Sequence, residues 1–117
     1  MRKALGILAA FFIAVPAAEG RTVSSTAYCS PQPTAAGPAA RFGWVAENSL
    51  PLRSVIRLTN PRHGIFDRQT RRYRIRFLVM DRIGSGSSLD FFIPWGSESH
   101  CAWGRRTVSF VVERYGR

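Results

Sequence analysis

The chain has 117 residues, of which 45% are hydrophobic, and carries 17 basic against 7 acidic side chains for a formal net charge of +10. A chain this short makes one domain with a modest core, and the lack of any internal repeat or long helical periodicity excludes a repeat array and a helical bundle. The N-terminal apolar run, residues 4–14, falls short of the ~20 residues that span a bilayer.

Met1-Arg2-Lys3 is a short basic start, residues 4–14 are apolar, and Val15-Pro16-Ala17-Ala18-Glu19-Gly20 is a small-residue zone. This order predicts a secretory signal peptide over residues 1–20, cleaved after Ala17, Ala18 or Gly20. The alternative is an uncleaved N-terminal anchor. Cys29, the first cysteine, lies too far on for a lipoprotein anchor. The expected address is the periplasm, the cell envelope or the outside of the cell, with residues 21–117 as the exported domain.

Residues 22–29 are β-prone, and residues 31–40, rich in Pro, Ala and Gly, predict a loop. Short strands are expected over 43–46 and 54–59, and Asn60-Pro61-Arg62-His63-Gly64 is turn chemistry. Ile65-Phe66 starts a hairpin that turns within 67–70. Residues 72–80 then alternate, with Tyr73, Ile75, Phe77 and Val79 on one face and Arg72, Arg74 and Arg76 on the other. Leu78 and Met80 turn the arginine face apolar, as in a strand that runs from solvent into the body of a barrel. The arginine row itself suits either a solvated face or a binding strip for anionic glycan or lipid. Residues 89–93 predict a short buried strand, residues 94–104 one or two helical turns, and residues 105–115 a closing strand with Val108, Phe110 and Val112 inward. Six or so short strands with Gly/Pro turns and little helix predict an all-β fold, a small β-barrel.

Asp81 ends one apolar run, Gly84-Ser85-Gly86 lies in the loop that follows, and Asp90 opens the next apolar run. That spacing can bring two carboxylates together at the barrel mouth, and paired carboxyl groups are the minimal equipment for acid/base attack on a glycosidic bond. The bland alternative makes both ordinary strand-end and turn residues. A general acid must hold its proton near neutral pH, so burial of Asp90 against Phe91 or Phe92 and a nearby Asp81 favour the role. Arg82 or Arg105 reaching Asp90 would abolish it. Backbone N–H groups of Gly84-Ser85-Gly86 could bind substrate oxygens, since glycine lets a chain approach closely. The loop lacks the Gly-Lys-Ser/Thr ending of a phosphate-binding loop. Trp44, Trp95 and Trp103 suit either stacking on sugar rings or core and rim packing. His63 reads as a solvated turn residue, and His100 beside Cys101 is too small a set for zinc. Neither metal nor cofactor is expected.

In an oxidising compartment Cys29 and Cys101 suggest a disulfide. It would close a loop of about 70 residues and stabilise the fold by up to ~4 kcal/mol. The alternative is two buried thiols. Setting aside Arg2, Lys3 and Glu19 leaves 15 basic residues, all Arg, against 6 acidic ones. The planar guanidinium fork matches carboxylate and phosphate, so a polyanionic partner is expected. Peptidoglycan with its peptide carboxylates fits an exported protein, as does transient contact with an anionic membrane surface. Nucleic acid would suit the charge but not the address. The same charge also suits a merely solvated surface, and a monomer is expected.

Seven segments stand in a telling order. They are Thr26-Ala27-Tyr28-Cys29, Gly43-Trp44-Val45-Ala46, Leu50-Pro51-Leu52, Val55-Ile56-Arg57-Leu58-Thr59-Asn60, Asp81-Arg82, Leu89-Asp90-Phe91-Phe92 and Gly104-Arg105-Arg106-Thr107-Val108. This order resembles the three-aspartate (3D) domain and the related rare-lipoprotein-A-like domains over nearly the whole exported chain. The resemblance implies a six-stranded double-psi β-barrel and cell-wall glycan chemistry. Members such as the membrane-bound lytic transglycosylase A cleave peptidoglycan between MurNAc and GlcNAc without water and leave a 1,6-anhydro end. One aspartate acts there as acid and then as base. Asp90 matches that position, in an apolar-Asp-apolar strand, and Asp81 matches the preceding aspartate. Expansins, more distant relatives, bind and loosen wall glycan without evident hydrolysis, which makes a non-catalytic binding module the alternative.

The chain departs from the family pattern in three places. Arg82-Ile83-Gly84 stands where two glycines usually follow the first aspartate, and the loop from Asp81 to Asp90 is short. Asn48 aligns with the third acidic position, and a gap of one would place Glu47 there instead. Gly84, Ser85, Gly86, Asn48, Trp44 and Arg82 are the expected substrate-binding residues, beside Asp90 and Asp81 as the catalytic pair.

Overall fold

The computed structural model describes residues 20–67, 69–84, 88–94 and 103–117. Eight strands follow in order: β1 (Arg21–Tyr28), β2 (Trp44–Ala46), β3 (Val55–Leu58), β4 (Ile65–Asp67), β5 (Arg72–Arg74), β6 (Arg76–Asp81), β7 (Leu89–Phe92) and β8 (Arg106–Arg114). Among the described residues the one helical element is a 3-10 turn, Pro61–His63, capped by the Asn60 side chain accepting from the Arg62 N–H. Residues 1–19 of the expected signal segment, residues 95–102 of the stretch 94–104 expected to turn helically, and with them Trp95, His100 and Cys101, as well as Ser85 and Gly86, lie outside the described residues.

Six strands close into a barrel in the order β1-β7-β2-β6-β3-β8, and β4 and β5 form a separate two-stranded ribbon. The all-β, six-stranded barrel is the fold expected from the sequence. Two neighbour pairs, β1/β7 and β2/β6, run parallel, and the rest of the barrel is antiparallel. Exchanging β1, β2 and β3 for β6, β7 and β8 reproduces every neighbour relation. The two halves of the chain are thus topologically equivalent, as in the double-psi arrangement.

Alternation decides what each strand gives to the interior. Val45, Ile56, Phe77, Val79, Leu89, Phe91, Val108 and Phe110 fill the barrel at 2% exposure or less. Phe91 is wedged between Phe77 and Trp103, with ring centroids 4.8 and 5.4 Å away. The Trp103 indole N–H donates to Ser25 Oγ at 3.2 Å, and Ser25 donates in turn to the Arg106 carbonyl at 2.8 Å. Trp103 is therefore a core residue with its polar edge satisfied.

The single strand expected over 72–80 is two strands, broken at Ile75. Its first half pairs with β4 rather than with the barrel, in the register Ile65–Arg74 and Phe66–Tyr73. Tyr73 consequently stays 61% exposed instead of facing the core, and its ring rests edge-on against Phe66 at 5.3 Å. The arginine row is partly neutralised: Arg74 meets Asp67 at 3.8 Å and Arg76 meets Glu113 at 2.8 Å.

Truncating the ring at the centre of the barrel measures how tightly it is packed. Phe91→Ala is expected to lower the unfolding free energy by about 3–5 kcal/mol. Urea unfolding would show this as a lower midpoint at unchanged slope. A loss under about 1 kcal/mol would place the ring outside a packed core.

Candidate functional site

The wall β1-β7-β2-β6 brings four residues into one row. Thr26 pairs with Asp90, Asp90 pairs with Ala46, and Ala46 pairs with Asp81. Ser25, Ala27, Leu89, Phe91 and Val45 point into or pack against the core, so Thr26, Tyr28, Asp90 and Ala46 take the outer face. Asp81 needs a further device to join them. Phe77 and Val79 point inward, and strict alternation would send Asp81 the same way. Instead Val45 pairs with Val79 and Ala46 with Asp81, so Met80 is an extra residue on β6. A one-residue slip of this kind reverses the face that follows it. Asp81 and Asp90 thus flank the small Ala46 side chain from either side, their backbones about 10 Å apart at two strand spacings. Ala46 and Asp81 end β2 and β6 and Asp90 is the second residue of β7, so the pair stands at one end of this wall.

The connection from β1 to β2 folds back across this wall. It is tied to the end of β6 by Ala36 N–H donating to the Met80 carbonyl (3.1 Å) and Ala35 N–H donating to Asp81 Oδ1 (2.8 Å). Beneath it lies a pocket of about 330 Å³, lined by Tyr28, Gln32, Asp81, Ile83, Gly84 and Asp90 among others.

The two carboxylates are held differently. Asp81 Oδ1 accepts two backbone N–H bonds, from Ala35 and from Arg82, each at 2.8 Å, which fixes its orientation. Asp90 Oδ1 accepts from Thr26 Oγ1 at 3.0 Å. Burial raises the Asp90 carboxyl above the ordinary aspartate range; the Thr26 hydrogen bond pulls it back in part, and the charge of Asp81 pushes it up again. Among the described residues no guanidinium pairs with either aspartate. Arg82 turns away, its Nη1 donating to the carbonyls of Glu47 and Leu50 at 2.7 Å each. Arg105 donates to Ser24 Oγ at 3.0 Å. The salt bridge that would have removed the acid does not form there.

Other expected site residues divide. Arg82 and Gly84 line the pocket, and a Cβ added at Gly84 would meet nothing within 4 Å. Asn48 acts one step away: its amide donates to the Ile83 carbonyl at 2.9 Å and accepts the Ile83 N–H at 2.7 Å, pinning the chain just after Asp81. Glu47 is buried and accepts from the N–H groups of Ser49 (2.7 Å) and Leu50 (2.6 Å) and from the Ser49 hydroxyl. It shapes its own turn and lines a neighbouring groove with Asn48, so it supplies no third carboxylate to the pocket. Trp44 lines a separate hollow beside Phe42 and Leu78, with the Arg41 guanidinium 5.7 Å from its ring. Cys29 is half-buried at the end of β1. Among the described residues no three His, Cys, Asp or Glu side chains group as metal ligands.

Thr26, Tyr28, Ala46 and the Ala35 N–H were not anticipated. The alternation of β1 carries the signal for Thr26 and Tyr28, but only once its parallel pairing with β7 is known. No family model matches the chain, and no curated protein and no solved structure matches it either.

The raised Asp90 carboxyl has a consequence for stability. The folded chain binds that proton more tightly than the unfolded chain does, so ionisation of Asp90 opposes folding. The contribution is fully present below the ordinary carboxylate pKa and is lost as pH rises through the folded value. Asp90→Asn keeps an oxygen for Thr26. It is expected to match the wild type in acid and to exceed its stability at neutral pH, as measured by urea unfolding across pH. A variant less stable than wild type at neutral pH would contradict this placement.

Proposed function

We propose that the protein is an exported, peptidoglycan-active enzyme that cleaves glycan strands in the manner of a lytic transglycosylase, with Asp90 as general acid and then base. The observation that carries this reading is Asp90 itself: a half-buried carboxyl with raised proton affinity, without a guanidinium partner among the described residues, and lining a pocket that Asp81 shares. The resemblance to the three-aspartate and rare-lipoprotein-A-like domains, and the double-psi barrel, support it at the level of fold and motif order.

Protonated Asp90 donates to the glycosidic oxygen, the bond to the sugar C1 breaks, and oxocarbenium character builds on that sugar. Asp90, now a carboxylate, removes the proton of the C6 hydroxyl, whose oxygen closes onto C1 to give the anhydro ring. Asp81 takes no part in the proton transfer in this scheme; its charge tunes Asp90 and favours the developing cation. The excess of arginine fits a wall bearing peptide carboxylates and, alongside it, an anionic membrane surface.

One observation favours a second reading, a module that binds wall glycan without cleaving it. Thr26 donates to Asp90, and a donor to a carboxylate favours the ionised form, which is no acid.

Incubating purified sacculi with the mature protein and with Asp90→Asn separates the two. Anhydro-ended muropeptides, read by mass spectrometry, are expected from wild type, and at least ~10²-fold fewer from the variant. Reducing ends in their place would mean a hydrolase. If no products form while both proteins pellet with the sacculi, the binding module is the correct reading.

A further inference from the structure

Tyr28 ends β1 on the same outer face as Thr26, one step closer to the connection that folds over the wall. Its ring packs against Phe92, centroids 5.4 Å apart and planes tilted by 59°. That contact fixes the ring, and the residue lines the pocket together with Asp81 and Asp90. The hydroxyl is buried but has no hydrogen-bond partner among the described residues. A buried hydroxyl left in this state is unfavourable, and native folds rarely keep one without a use. Burial first, and then the charges of Asp81 and Asp90, hold the phenol far above its ordinary pKa. It therefore keeps its proton at any working pH and remains a donor.

Tyr28 accordingly brings an idle donor to the wall of a pocket that two carboxylates also line, and it makes no hydrogen bond to either. A group that joins them must accept from the phenol and donate to a carboxylate. A hydroxyl does both; an ether or carbonyl oxygen only accepts, and an ammonium only donates. At about 330 Å³ the space is at the lower end of small-ligand pockets, roughly 300–1,000 Å³, and suits one sugar unit rather than a large planar ligand.

We infer that Tyr28 is a substrate-binding residue, its hydroxyl donating to a sugar hydroxyl that is seated between it and the aspartates, and that the pocket therefore selects a polyhydroxylated ligand. That the sugar belongs to a wall glycan rests on the function proposed above; the role of Tyr28 in holding a hydroxyl does not.

Tyr28→Phe removes one oxygen and leaves the ring on Phe92, so the fold is retained, which circular dichroism checks. Binding of a tetrasaccharide of N-acetylglucosamine to the full mature chain would be followed by NMR titration for wild type and variant. The expected result is affinity at least tenfold weaker in Tyr28→Phe, a difference of about 1.4 kcal/mol. Equal affinity in the two proteins overturns the inference, and so does a wild type that fails to bind the tetrasaccharide at millimolar concentration. The same pair run on sacculi keeps the two proposals apart. Equal cleavage by both proteins overturns the role of Tyr28 and leaves the enzyme standing. Tyr28-dependent binding without cleavage by wild type supports the role and removes the enzyme.

Discussion

Three residues of β2 hold the candidate site in place. The strand Trp44–Ala46 is hydrogen-bonded on both sides, antiparallel to β7 and parallel to β6, and Ala46 is the partner of Asp90 in one pairing and of Asp81 in the other. Closing six strands into a barrel fixes this double pairing, because β2 has no free edge along which to slide. Val45, wholly buried, sets which face Ala46 takes. The slip at Met80 then places Asp81 on that face too. A larger residue at position 46 would fill the floor between the carboxylates. The distance between the two acids is thus a property of barrel closure, not of the loop that joins them.

The second constraint is electrostatic. In a chain with this excess of arginine, a carboxyl with raised proton affinity survives only if the guanidinium groups are engaged elsewhere. Arg57 and Arg76 both reach Glu113, at 2.9 and 2.8 Å. Arg82 is bound by two backbone carbonyls, and Arg106 lies over the Trp103 ring at 4.4 Å. Burial is the largest influence on Asp90, with the Asp81 charge acting in the same direction. Tyr28 belongs to the same field: burial first, and then the carboxylates beside it, raise the pKa of its hydroxyl.

Much of the barrel was legible in the sequence because alternation is a local signal. Residues 22–29, 54–59 and 105–115 announced β1, β3 and β8; of the expected inward set Val108 and Phe110 are buried, and Val112 is only partly buried against the core while Val111 is buried as well. Residues 72–80 misled, since the alternation continues across Ile75 while the hydrogen bonding changes partner from β4 to β3. Asp90 could be singled out from its apolar flanks. The face taken by Asp81 could not, because a slip in register leaves no mark in the composition of a strand. Thr26 and Tyr28 were hidden for another reason. They are placed by a parallel pairing of β1 with β7, Thr26 beside Asp90 and Tyr28 beside Phe92, and the sequence separation of 64 between Thr26 and Asp90 gives no local sign of it. Asn48 looked like a displaced acid in the sequence. Its amide instead clamps Ile83 with two hydrogen bonds, a role for which a carboxylate has no donor.

The account depends on Asp90 being a carboxyl raised by burial and by Asp81. Titrating the Asp90 carboxyl carbon by NMR, in wild type and in Asp81→Asn, measures this directly. The prediction is a pKa above the ordinary aspartate value in wild type, which falls only part of the way back when the charge of Asp81 is removed. An Asp90 that titrates at or below the ordinary value in the wild type would contradict the account and leave the pocket without its acid.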